Sequence, residues 1–95
     1  MTHYVAIVEE ERDKAVGVSF PDLPGCVSAG DTLDEAMLNA AEALALWVET
    51  ARAHGRPVPA PRSLVELKRD PEVSRELTTF MVALIPLTPL LDAAQ

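Results

Sequence analysis

The spacing of apolar residues changes along the chain, and each change predicts an element. From His3 to Val8 the run HYVAIV is unbroken and β-prone. The charged stretch EEERDK separates it from AVGVSF, Ala15 to Phe20, where the pattern alternates. Side chains of a strand point to opposite faces in turn, so Val16, Val18 and Phe20 share one face and Ala15, Gly17 and Ser19 the other. The first run is apolar on both faces. Together the two runs predict a hairpin with a long, solvated connection.

In the following PDLPGC, Pro24 pre-sets the first central position of a turn, and Gly25 supplies the positive φ that a type II turn needs at the second. CVSAG, Cys26 to Gly30, predicts a short third strand. Thr32 and Glu35 have capping-box spacing, and Asp31 and Asp34 suit the positive end of a helix dipole. A helix is expected from Leu33 to Ala53, with Gly55 as its stop and RPVPAP as the exit. At about 100° per residue, Leu33, Ala36, Met37, Ala40, Ala41, Leu44, Trp47, Val48 and Ala51 form one stripe for the sheet. Asp34, Glu35, Asn39, Glu42 and Glu49 lie opposite. Leu38 and Leu46 fall among those acids, with no place in the core.

Ser63 with Glu66, and Asp70 with Pro71, mark the starts of two short helices. The run from Thr78 to Leu87 reads as a fourth strand, with Phe80, Val82 and Leu84 on one face and Met81, Ala83 and Ile85 on the other. Pro86 closes it. The expected architecture is an α+β fold in the order β-β-β-α-(short α)-β. It comprises a four-stranded, antiparallel-rich sheet covered by one long helix, with a single domain over residues 1–86 and a flexible tail over 87–95. One helix layer covers one face of a sheet. The apolar second faces of the first and last strands therefore predict a surface awaiting another polypeptide, with self-association through Phe80, Met81, Val82, Ala83 and Leu84.

Composition narrows the chemistry. With 95 residues the chain holds one core, and at 4% aromatic content that core is built from Val, Leu, Ile, Ala and Met. A formal charge of -7 repels phosphate backbones and attracts a basic partner, so no direct nucleic-acid binding is expected. A single cysteine cannot close an intrachain disulfide. The N-terminal residues lack the pattern of a secretory signal and no apolar run spans a bilayer, so a cytoplasmic location without membrane association is expected.

No catalytic, metal or cofactor set emerges. Cys26 has His3 and His54 as conceivable activators but no placed third group, and it reads as a small buried apolar residue. Glu9, Glu10, Glu11 and Asp13 cluster in a connection instead of converging as a two-metal nuclease requires. Asp22 suits either a turn or a partner surface. The acids of the long helix read as a solvated face or, with the two leucines, as a mixed patch for a basic partner. The candidate partner-binding set is Asp22, Leu38, Glu42 and Leu46.

YVAIVE (Tyr4 to Glu9), GVSFPDLPGCVSAGDTLDEA (Gly17 to Ala36), NAAEALALWVE (Asn39 to Glu49) and PVPAPRSLVEL (Pro57 to Leu67) resemble, in order, the HicB family of antitoxins. The resemblance implies a degenerate RNase-H-like fold. It also implies a partner of HicA type, a small basic toxin of double-stranded-RNA-binding fold that cleaves messenger RNA and whose catalytic histidine the antitoxin masks. Many members carry a C-terminal helix-turn-helix or ribbon-helix-helix segment that binds their own promoter. Here the similarity runs to about Pro86 and nine residues follow, so that segment is expected to be missing. Two other readings are a homo-oligomeric regulator or scaffold without a toxin, and a metal-dependent nuclease using Glu9 or Asp22.

Overall fold

The computed structural model describes residues 2–88. Four strands and three helices follow one another as β1 (His3–Glu9), β2 (Val16–Ser19), β3 (Val27–Gly30), α1 (Leu33–Ala53), α2 (Leu64–Lys68), α3 (Pro71–Thr79) and β4 (Met81–Pro86). The sheet has the order β3-β2-β1-β4, and every pairing is antiparallel. β1 therefore lies inside the sheet. Its five residues Tyr4 to Val8 are all buried, as an inner strand apolar on both faces requires.

The turn and cap chemistry behaves as the residue types dictate. Cys26 N–H donates to Leu23 O at 3.0 Å, and Gly25 between them has φ 82°, which closes the type II turn. Thr32 Oγ1 accepts from Glu35 N–H at 3.1 Å, while the Glu35 carboxylate reaches back to Asp31 N–H and not to Thr32. At the other end of α1, Arg56 N–H donates to Ala51 O and Gly55 N–H to Arg52 O, a Schellman ending. Ser63 and Glu66 make a full capping box, and Asp70 caps α3 with Pro71 in its first turn.

α1 covers one face of the sheet. Ala36, Ala40, Leu44 and Val48 pack on Tyr4, Ala6, Val8, Val16, Val18, Phe20 and Ile85. Its first turn sits directly on Gly30, where an added Cβ would fall 2.8 Å from Ala36 Cα. Only a residue without a side chain permits that approach. Cross-strand partners point to the same side, so Val5, Ile7 and Val82 face away from α1.

That second face is where the structure departs from expectation. Over β1 it is not left for another polypeptide: α2 and α3 lie there, and Leu67, Val73 and Leu77 close on Val5 and Ile7, with Leu64, Phe80 and Val82 at the margin, while Val27 of β3 and Leu84 of β4 stay exposed on the same side. The expected fold has one covering helix, and the two short helices form a second covering layer.

β4 is also shorter than expected. Thr78 and Thr79 belong to α3, where their hydroxyls donate to Arg75 O at 2.9 and 2.7 Å. Bonding back to the preceding turn satisfies these β-branched residues in a helix end. Of the tail expected over 87–95, Leu87 packs against the α1-side core and donates its N–H to Thr2 O; the part beyond Thr88 lies outside the described residues.

Candidate partner-binding surface

Leu38, Glu42 and Leu46 stand one above the next on the outer side of α1. Leu38 is 70% exposed and Leu46 58%, and Glu42 is exposed between them. Asp34, Glu35 and Glu49 are exposed on the same helix. Leucine on a helix can be hidden by rotating the stripe, and here the stripe is already occupied by smaller residues. Two large apolar groups therefore remain in water among carboxylates.

Eight residues of helix separate the two leucines by roughly 80° and about 12 Å. Each consequently borders a different depression. Leu46 rims a cleft of about 350 Å³ between α1 and the β2–β3 turn, with Gly25, Cys26, Val27, Trp47 and Arg56 among its walls. Leu38 rims a groove on the opposite flank, beside β4. Trp47 is held in the first cleft by its indole N–H, which donates to Pro24 O at 3.2 Å. Val27 lies on that rim, exposed on the face turned from α1, and nothing in its alternating strand pattern marked it.

Asp22 does not join this surface. Its side chain is only 6% exposed: Oδ1 accepts from Arg62 Nε at 2.7 Å and Oδ2 from Arg62 N–H at 2.8 Å. Arg62 Nη1 donates in turn to Asp70 Oδ2 at 2.9 Å. One guanidinium thus ties the β2–β3 connection to the start of α3 and fastens the second layer to the sheet. Tyr4 adds a parallel tie, its hydroxyl donating to Pro59 O at 2.6 Å. Arg62 carries no sequence signal for this role, because Asp22 lies 40 residues away.

The Arg62 contact, and then the Glu72 N–H bond, hold the Asp70 carboxyl below its ordinary value of 3.8. Glu66, bonded by the Ser63 backbone and hydroxyl, is likewise lowered from 4.5. A carboxyl with a depressed folded-state pKa adds stability above its unfolded pKa and loses it as pH falls toward the folded value. Stability is thus expected to decline as the pH drops through 4.5 and 3.8. Arg62→Met should start less stable at neutral pH and show a shallower acid decline, measured by urea melts from pH 7 to acid.

The remaining candidates divide by position. Phe80 and Val82 are half-buried under the second layer and Ala83 under the first, whereas Met81 and Leu84 are exposed. Cys26 is buried, with Sγ 3.7 Å from Ala43 O, and desolvation pushes its thiol up to about 11. It is protonated at neutral pH, the inert form of a cysteine. His54 faces Thr50 O at the end of α1. Among the described residues no three His, Cys, Asp or Glu side chains converge as a metal site, and no helix is long and apolar enough to cross a membrane.

The result is an α+β domain whose sheet lies between α1 and the α2–α3 layer, with an acidic, leucine-bearing outer face on α1. The chain belongs to the HicB-like antitoxins of bacterial toxin–antitoxin systems, whose family model matches residues 4–95. An uncharacterised 14.9 kDa protein of Haemophilus phage HP1 is 38% identical over 92 residues, 97% of this chain and 67% of its own length. The crystal structure of the Burkholderia pseudomallei antitoxin HicB superposes with a TM-score of 0.74 at 31% identity, covering 92% of this chain. This chain spans 64% of that antitoxin. A chain of the HicA3 and HicB3 toxin–antitoxin complex matches with a TM-score of 0.72 at 26% identity, over 93% of this chain and all of the other.

Proposed function

We propose that the chain neutralises a small, basic, RNA-cleaving toxin of HicA type in the cytoplasm by seating it on the outer face of α1 and masking its active site. The observation that carries this reading is the exposure of Leu38 and Leu46 among Glu35, Glu42 and Glu49 on the outer face of α1. Apolar groups give such an interface its buried centre, and a rim of carboxylates steers a basic partner and speeds its approach. The net charge of -7 acts in the same direction at longer range. The complex of HicA3 with HicB3 supports the kind of partner.

Masking requires no chemistry from this chain. The test is an RNA-cleavage assay with a HicA-type toxin encoded beside it. Cleavage should cease as the chain reaches equimolar amounts and return as salt weakens the attraction. Undiminished cleavage with excess folded chain at low salt would reject the proposal.

A further inference from the structure

The cleft beside Leu46 takes its shape from two ties between α1 and the strand it leans on. At its start the helix lies directly on β3, with Ala36 over Gly30 and Asn39 Nδ2 donating to Ala29 O at 2.9 Å. Two turns further on, the indole of Trp47 reaches from the helix to the β2–β3 turn, where its N–H donates to Pro24 O at 3.2 Å. That turn is itself fixed by the bond from Cys26 N–H to Leu23 O. Helix and strand are thus in contact at one end and spaced by an indole at the other, and the opening between them is the cleft of about 350 Å³.

Its lining is mostly apolar. Cys26, Ala43 and Trp47 contribute to the wall, Thr50 adds a hydroxyl, and Val27 and Leu46 border it as exposed apolar residues. An opening of this size admits a large side chain, whereas a whole helix, about 10 Å across, does not fit. Charge is placed unevenly around it. Arg56, just past the C-terminal end of α1, is the one charged residue of the lining, while Glu42 and Glu49, a turn before and a turn after Leu46, are exposed on its outer side.

We propose that this cleft takes one large apolar side chain of the toxin, an aliphatic or aromatic anchor, on a segment whose neighbouring basic residue lies against Glu42 and Glu49. The inference rests on the toxin reading and adds to it the seat and the chemistry of the anchor. Charge selects the occupant: a second copy of this chain brings -7 to the same acids and is repelled, whereas a basic partner is drawn to them. Arg56 sets the direction of the segment, whose cation lies toward the glutamates and away from the guanidinium. A pocket of fixed shape, filled by an apolar anchor and ringed by polar groups, is where protein interfaces concentrate their affinity.

Trp47 is the chain's one tryptophan, so labelling with 5-fluorotryptophan gives a single fluorine resonance inside the cleft. Titration with the HicA-type toxin encoded beside the chain should move that resonance, and the change should be complete at the stoichiometry that calorimetry gives. Thr50→Arg fills the cleft from an exposed position, and Leu46→Lys removes its rim; each should weaken toxin binding about tenfold or more at an unchanged melting midpoint. Val65→Arg, an exposed position on α2, should bind as the wild type does. A toxin that binds and is inhibited while the Trp47 resonance stays in place overturns this inference and leaves the proposed function standing. Equal weakening in Val65→Arg and Thr50→Arg also overturns it, because added charge alone then accounts for the effect. A resonance that moves with chain concentration in the absence of toxin overturns it in favour of a second copy. A folded wild type that binds no toxin overturns both this inference and the function on which it rests.

Discussion

Leu67→Ala is expected to destabilise the domain by about 2–5 kcal/mol, the range for removing a fully buried leucine. For a domain of this size that corresponds to a fall in melting midpoint of roughly 10 °C or more. Leu67 is the sole fully buried residue of α2, a helix of five residues, and it packs on Val5 and Ile7 of the inner strand. A helix this short has no stability of its own. Its position rests on that one side chain, on the Ser63–Glu66 capping box and on the Arg62 tie to Asp22 and Asp70. Truncating Leu67 therefore does more than leave a hole, because it releases the layer that keeps water from the second face. Thermal unfolding followed by circular dichroism gives the comparison, with exposed Val65→Ala on the same helix as the control. Equal melting of the two variants would mean that the second layer contributes little and that the face behind it is open after all.

This result bears on what could be read from the chain alone. The unbroken apolar run of β1 already required two covers, because an inner strand has two faces to hide. The sequence supplied the second cover in a form that is hard to recognise. In α2 only Leu64 and Leu67 turn to the sheet, and in α3 only Val73 and Leu77 repeat at helical spacing, so neither helix shows a long stripe. Their role appears only when the Pro-rich segment carries them back across the sheet. α1 is the opposite case: twenty-one residues with a continuous stripe between a Thr cap and a glycine stop left little freedom in its placement. The turn at Pro24–Gly25 was equally legible, since its residue types serve one local geometry.

For the candidate surface, the exposed leucines were legible as exceptions to the α1 stripe, and both are exposed in the fold. Asp22 misled because its partner is tertiary: a carboxylate in a Pro-Asp turn looks solvated until Arg62 arrives from a distant loop. Thr78 and Thr79 misled through β-propensity, which a helix end overrides by accepting their hydroxyl bonds. The separation of Leu38 and Leu46 onto different depressions depends on how far α1 is shifted across the sheet, which no pattern within the helix records.

The double variant Leu38→Lys with Leu46→Lys is expected to weaken binding of a HicA-type toxin by about a hundredfold. Two central apolar anchors are lost and two positive charges are placed against a basic partner. Both side chains are exposed, so the melting midpoint should stay near that of the wild type, which separates lost recognition from lost folding. Titration calorimetry of the toxin into each form is the direct measurement. The account predicts a tight wild-type complex, a complex weaker by about two orders of magnitude for the double variant, and unchanged unfolding. Equal affinities for the two forms would contradict it, because the outer face of α1 would then not be where the toxin sits.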